Sequence, residues 1–246
     1  MSVYIIPLRG IPELEDGNDL GVLLVESAER AAGLKSGDIV VVAQKAVSKV
    51  EGRVLHLDDV EPSDRARELA GDDDARHVEV VLRESRGIVR MRPPTLIIAE
   101  TPHGFVCASA GVDRSNAKGP NTVVLLPLDP DASARLLRDR ICERSGVDVG
   151  VIVSDSFGRP FRRGTTDVAL GVAGLSSLLD LKGRRDSTGY ELRATEIAVA
   201  DEIAGAAELV MGKTSGVPAA IVRGLDLQGD GRGQDLLMPR GRDLFR

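Results

Sequence analysis

Tryptophan is absent from the 246 residues, and aromatics make up only 2%. Stacking platforms for single-stranded nucleic acid are therefore excluded, and the core has to be built from Val, Ile, Leu and Ala. Cysteine is limited to Cys107 and Cys142, which excludes a disulfide scaffold and a cysteine-based zinc site. Cys107 reads as a small buried residue. The three histidines, His56, His77 and His103, lie far apart with no ligand spacing. A metal would thus rest mainly on oxygen ligands, favouring magnesium, manganese or calcium. No apolar run approaches the roughly 18 residues that span a bilayer. Met1 to Arg9 is apolar, but it is short and lacks a basic n-region, so the expectation is a cytoplasmic protein with no membrane partner. The net charge of −6 lacks the basic footprint of a nucleic-acid binder, and no nucleic-acid partner is expected.

What is present is 42% hydrophobic and 28% charged residues, proportions of a globular chain that exclude a disordered or fibrous one. Val3 to Leu8 reads as a strand and Leu20 to Ala32 as a helix stopped by Gly33. Asp38 to Gln44 and Val149 to Asp155 are β-branched runs without polar alternation, the pattern of strands buried on both faces. Pro62 to Gly71, with Ser63 as cap, and His77 to Ser85 read as helices, and Asp72 to Asp74 as a solvated turn. Ile88 to Met91, Thr95 to Glu100 and Gly104 to Val106 suggest an antiparallel meander turned by Pro93-Pro94 and His103-Gly104. Thr122 to Leu126 reads as a strand, and Asp129 to Ser145 as a helix capped near Asp131 or Ser133 and ended by Gly146. Tyr190 to Ala207 reads as a helix and Ala219 to Arg223 as a strand. The fold class expected is α/β, mixed α+β, with buried strands and an antiparallel meander. No repeat or linker divides the chain, so 1–226 forms the domain and 227–246 a C-terminal tail expected to be mobile.

Four stretches carry chemistry. In the first, Ser109 to Asn116, an Asp and an Asn three residues apart, Asp113 and Asn116, could serve a metal and a ligand. A polar turn satisfying its own backbone is the plain alternative. In the second, Asp155 and Ser156 end a buried strand, where α/β sheets place their ligands. Arg159, Arg162 and Arg163 come next, with Gly158 and Gly164, in a chain that is acidic overall. Arginine forks match phosphate and carboxylate, although a solvated basic loop has the same composition. In the third, Gly212, Lys213, Thr214, Ser215 and Gly216 suit a phosphate cradle, but their spacing is not that of a Walker motif. In the fourth, Lys45 succeeds a buried strand and could meet phosphate as a point charge. The set suits phosphoryl transfer with a divalent metal. A nucleotide-binding regulatory protein, or a metal-dependent phosphatase or nucleotidyl transferase, could use the same residues.

In order along the chain, Gly10-Ile11-Pro12-Glu13, Val42-Ala43-Gln44-Lys45, Ala110 to Asn116, Ser154 to Pro160, Met211-Gly212-Lys213 and Gly216-Val217-Pro218 resemble the coenzyme F-420-0:L-glutamate ligase (F-420-0:gamma-glutamyl ligase) family. The resemblance runs from about Val3 to Leu225. It implies a GTP-dependent ligase that adds L-glutamate to the lactyl carboxylate of coenzyme F-420-0 through an acyl phosphate, and then a second, gamma-linked glutamate. It also implies two Mn²⁺ or Mg²⁺ ions, assistance by K⁺, and an intertwined homodimer. The shortage of large aromatic side chains for burial points towards the dimer as well. Carried over by motif, Asp113 and Asp155 would hold the first metal and Ser156 the second. Asp155 and Arg159 would be catalytic. Gly10, Ile11, Pro12, Glu13, Val40, Val41, Lys45, Asn116 and the run Met211, Gly212, Lys213, Thr214, Ser215, Gly216, Val217 and Pro218 would bind GTP. The family's glycine loop is expected to help hold the second ion, yet Lys213, Thr214 and Ser215 bring no carboxylate.

Overall fold

A computed structural model of the protein describes residues 2–92 and 96–244. The first half of the chain runs β1 (Tyr4–Leu8), α1 (Leu20–Ala31), β2 (Ile39–Ala43), α2 (Gln44–Val50), β3 (Val54–His56), α3 (Asp64–Ala70), α4 (Ala75–Arg83), β4 (Gly87–Arg92), β5 (Leu96–Glu100) and β6 (Val106–Ala108). The second half runs β7 (Thr122–Val124), α5 (Pro130–Ser145), β8 (Gly150–Gly158), β9 (Thr165–Ala173), β10 (Leu179–Asp180), β11 (Glu196–Ile197), α6 (Val199–Met211) and β12 (Ala219–Arg223). No helix among the described residues is long and apolar enough to cross a membrane.

The unalternated apolar runs form the middle of a five-stranded sheet in the order β1-β12-β2-β8-β9. Only β2 and β8 are parallel. Side chains alternate faces along a strand, so each central strand feeds two cores. Val40, Val42, Val151 and Val153 pack with α1 and α5 on one face. Val41 and Ile152 pack with α6 on the other, where Ala200, Ala204 and Ala207 admit the helix closely. A second layer of structure, the β3-β7 pair and the β4-β5-β6 meander, closes with α3 and α4 around Leu57, Val78, Val81, Ile97 and Val123. The Pro93-Pro94 turn expected in that meander lies outside the described residues.

Several local expectations need correction. Helix α6 begins at Val199 rather than Tyr190, because 190–195 is largely exposed and offers no apolar stripe to bury. The cap of α5 is Asp129, whose side chain accepts from the Ala132 amide, and not Asp131 or Ser133. Asp131 is buried, and its carboxylate accepts from the amides of Val172 at 2.9 Å and Gly233 at 2.7 Å. The acidic triplet is more than a solvated turn, since Asp74 caps α4 and pairs with Arg76 at 3.0 Å. Strand β9 has no clear signature in the sequence. Its Gly171 lets α5 begin against the sheet, where an added Cβ would lie 2.0 Å from the Pro130 carbonyl oxygen. The segment set apart as a tail packs back along this edge, with the Gly231 amide donating to the Leu175 carbonyl at 2.9 Å.

Candidate functional site

Because β2 and β8 are parallel, with Ala43 opposite Ser154, both strands deliver their succeeding residues to the same end of the sheet. At the end of β2 the chain turns at once into α2. Gln44 holds that turn from within: its buried amide donates to Ser48 Oγ at 2.6 Å and to the Leu125 carbonyl at 2.8 Å. Lys45 then stands at the mouth. The loop after β6 is pinned by a bridge in which Asp113 and Val124 exchange backbone hydrogen bonds of 3.0 and 2.9 Å. That bridge sets the Asp113 carboxylate 2.7 Å from Lys45 Nζ, with the Ser115 amide donating to its other oxygen at 2.7 Å. Asn116, at a φ of 54°, donates from Nδ2 to the Lys213 carbonyl at 3.2 Å and so ties this loop to the glycine loop after α6.

Two adjoining cavities occupy this end. The larger, about 380 Å³, is lined by Ile11, Pro12, Glu13, Leu14, Ala43, Lys45, Ala46, Lys49, Asn116, Gly212, Lys213, Thr214, Gly216, Val217 and Pro218. The smaller, about 80 Å³, shares Ala43, Lys45, Asn116, Gly212, Lys213 and Val217 with it and adds Gln44, Ser154, Asp155, Ser156, Asp167, Glu208 and Met211.

The acidic groups of the site differ in charge state. Burial disfavours ionisation of Asp113, but the hydrogen bonds from Lys45 and Ser115 outweigh it and hold the carboxyl below its usual range. Asp155 has no such cation in contact among the described residues. Burial first, then the neighbouring Asp113 and Asp167 carboxylates, push it up to about 6 against the Ser156 amide and the more distant Lys45. Burial and the Asp155 charge push the Cys107 thiol up to about 12, which makes it inert packing rather than a nucleophile.

Among the described residues, no three of the His, Cys, Asp and Glu side chains gather tightly enough to hold an ion alone. The donors still fit a hard divalent cation: they are carboxylate and hydroxyl oxygens, and Asp155 is a half-buried carboxylate short of positive charge. Magnesium-type ions are commonly held by one or two carboxylates plus phosphate oxygens of a bound ligand.

Of the residues expected to meet a nucleotide, Ile11, Pro12, Glu13, Lys45, Asn116, Gly212, Lys213, Thr214, Gly216, Val217 and Pro218 surround the larger cavity. Val40 and Val41 do not. They sit in the middle of β2 with their side chains in the two opposite cores, and it is Ala43 and Lys45 at the strand end that reach the cavity. Gly10 lies outside the lining, and the Ser215 hydroxyl is turned back to the Met211 carbonyl. Met211 is buried and borders the smaller cavity only. Arg159 lines neither cavity. Its Nη2 donates to the Arg163 carbonyl at 3.0 Å, and its buried Nε has no hydrogen-bond partner among the described residues. Three charged residues not singled out in the sequence join the site. Lys49, one turn beyond Lys45, pairs with Glu13. Asp167 comes from β9 and Glu208 from α6. Lys49 was findable from its i+4 spacing to Lys45, whereas Asp167 and Glu208 carry no local signal.

The sequence model of the family F420-0:Gamma-glutamyl ligase matches residues 10–224, which include every residue of the two cavities. The "Coenzyme F420:L-glutamate ligase" of Methanopyrus kandleri is 47% identical over 242 residues, covering 95% of this chain and 94% of its own. Its counterpart from Methanothermobacter thermautotrophicus is 44% identical over 253 residues, covering the whole of both chains. The one from Archaeoglobus fulgidus is 40% identical over 249 residues, covering 100% of this chain and 97% of its own. At this identity and coverage, the chain belongs to the F420-0:gamma-glutamyl ligase family.

Proposed function

We propose that the protein is a ligase of coenzyme F420 biosynthesis that uses GTP to join L-glutamate to the lactyl carboxylate of F420-0, and then adds a second glutamate by a gamma link. The observation that carries this reading is the pairing of the two cavities. A larger one, edged by Lys45, Lys49, Lys213 and a glycine loop, opens beside a smaller one holding carboxylates and hydroxyls.

The chemistry requires such a pairing. A carboxylate does not condense with an amine at neutral pH because oxide and hydroxide are poor leaving groups. Passing the γ-phosphoryl group of GTP to a substrate carboxylate oxygen gives an acyl phosphate and GDP. The glutamate amine then attacks the acyl carbon, an amide forms, and inorganic phosphate leaves. The lysines at the larger cavity supply positive charge for the polyphosphate. The Asn116 amide, held by its bond to the glycine loop, positions the nucleotide. Asp113 and Asp155 would hold the first divalent ion and Ser156 the second, and such ions neutralise phosphate charge in transfer reactions. Arg162 and Arg163, exposed between β8 and β9 near the strand end, would meet the anionic groups of the substrate. Arg159 would act by shaping that loop through its bond to Arg163.

Incubation with F420-0, GTP, Mn²⁺ and L-glutamate, read by mass spectrometry, is expected to show products heavier by one and two glutamate residues. Phosphate release without glutamylated product would replace the ligase with a phosphatase. Retained GTP binding with neither product would replace it with a regulatory protein. Assistance by K⁺ belongs to the same proposal and is tested by exchanging K⁺ for Na⁺ at constant ionic strength. A homodimer is also proposed, supported by exposed Leu128, Leu136 and Leu209 and by the largely exposed segment between β10 and β11. Light scattering at micromolar concentration showing only a 26.1 kDa species would exclude it.

A further inference from the structure

Asp167 lies directly across the β8–β9 ladder from Ser156 and is only 5% exposed. Its two oxygens are used one each: Oδ1 accepts from Ser156 Oγ at 2.5 Å, and Oδ2 accepts from Ser154 Oγ at 2.9 Å. Ser154 and Ser156 share a face of β8 because strand side chains repeat every second residue. Helix α6 covers Asp167. It approaches so closely that a Cβ on Gly205 would lie 3.2 Å from Thr166 Oγ1 and 3.7 Å from the Asp167 carbonyl oxygen. This buried arrangement has no role in the expected chemistry, and none of the four stretches read from the sequence contains Asp167.

A serine hydroxyl has one proton and two lone pairs, and its rotation decides which of them it presents. A hydroxyl free to rotate can turn its proton towards a cation and oppose it. One whose proton is committed elsewhere presents only lone pairs. We infer that Asp167 is a positioning residue that takes the hydroxyl protons of Ser154 and Ser156, so that the Ser156 oxygen faces the smaller cavity as a ready cation ligand. The inference rests on the proposed role of Ser156 in holding the second divalent ion. It supplies what the glycine loop lacks, since Lys213, Thr214 and Ser215 contribute no carboxylate there. The oxygen that meets the ion is set by a carboxylate one strand away.

The test is Mn²⁺ binding to the intact protein saturated with GTP, in the absence of glutamate and F420-0. Calorimetry and the paramagnetic resonance of free Mn²⁺ are read against a GTP-only control. Wild type is expected to bind two ions, and Ser156→Ala to lose the weaker one. In Asp167→Asn the amide would donate to a serine oxygen and occupy a lone pair. That variant is expected to bind the second ion at least about tenfold more weakly, with the first ion unchanged. Ser156→Ala/Asp167→Asn should be no worse than Ser156→Ala alone, because Asp167 acts through Ser156. Additive losses would instead make Asp167 a direct ligand and overturn the positioning role. Two ions in Asp167→Asn at wild-type affinity would overturn this inference while leaving the two-ion reading intact. A single ion in wild type would overturn that reading, and the inference with it. Should Asp167→Asn fail to fold by near-ultraviolet dichroism, Ser154→Ala decides: it keeps the Ser156–Asp167 bond and should hold the second ion within about twofold of wild type. A loss as large as that of Ser156→Ala would refute the assignment.

Discussion

The two ends of the central strands each withdraw a carboxylate from solvent, one fully and one in part, and treat it oppositely. At the start of β2, Asp38 is 1% exposed and fully answered. Arg223, at the end of the antiparallel β12, meets it in a fork, Nε to Oδ1 at 2.8 Å and Nη2 to Oδ2 at 2.7 Å. The Lys35 amide adds a third bond at 2.8 Å. Just past the pairing of the parallel neighbour β8 with β2, Asp155 is half-buried with no cation in contact among the described residues, and its carboxyl rises to about 6. A fold that can pair one buried carboxylate this completely shows that leaving another short of charge is not a general failing of its packing. A partly desolvated carboxylate without a paired cation costs stability, and such groups cluster at functional sites. The closed end ties β12 to the loop before β2, and the open end carries the carboxylates and hydroxyls of the two cavities.

Exchanging the two ends' treatment should break this contrast, and the largest effect falls on activity. Asp155→Asn is expected to lower glutamylation at least about 100-fold, equivalent to about 2.7 kcal/mol of barrier. Its metal-free melting temperature above pH 6 should be no lower than that of wild type. A variant keeping a tenth or more of wild-type product formation by mass spectrometry would show that the open end is not the catalytic one. The mirror experiment is Asp38→Ala, which strands Arg223. Denaturant unfolding should show a loss of about 3 to 5 kcal/mol, with turnover per folded molecule little changed.

A smaller effect is expected from pH. Asp155 binds its proton more tightly folded, at about 6, than its ordinary value of 3.8 allows unfolded. The raised value favours folding fully below about pH 4, and that contribution fades as pH rises through 6, by an amount on the order of 3 kcal/mol. The stability difference between metal-free wild type and Asp155→Asn, followed by calorimetry from pH 4 to 7, isolates this titration from other carboxyl groups. A difference independent of pH would place Asp155 in solvent. Divalent-ion affinity should rise over the same interval, because proton and metal compete for one carboxylate.

The mildest change sharpens the picture at Asp113, whose charge Lys45 already shares. Asp113→Asn keeps an oxygen and the turn but removes the charge. GTP titrations should then need on the order of tenfold more Mn²⁺ to reach wild-type affinity, with the deficit closing as metal is raised. Superimposable titration curves would reduce Asp113 to a turn residue.

Much of this was legible in the sequence. The unbroken apolar runs of β2 and β8 announce strands buried on both faces, and Lys45, Asp155 and Ser156 that come after them line the two cavities. The caps Ser63 and Gly146 mark helix ends because each satisfies a local backbone need. Local need also misleads. The polar stretch before α6 suggests helix on residue preference alone, although it has nothing to bury. In the loops at the sheet's end, motif order picks out Lys45, Asn116 and Gly212, which line one cavity. It also draws in Val40 and Val41, because a motif does not say which of its residues face outward.

The sequence by itself determined the strands, most of the helices, and the chemical kind of each group at the sheet's end. Those arise from short-range periodicity and from side-chain chemistry. Only the tertiary structure decided which buried charges are paired. Asp38 and Arg223 stand 185 residues apart and meet through a register between β12 and β2 that no local pattern encodes. The same holds for Asp167 and Glu208, which reach the small cavity from β9 and α6. Pairing, desolvation and the direction in which a hydroxyl presents its lone pairs are properties of neighbours in space, and folding is what chooses those neighbours.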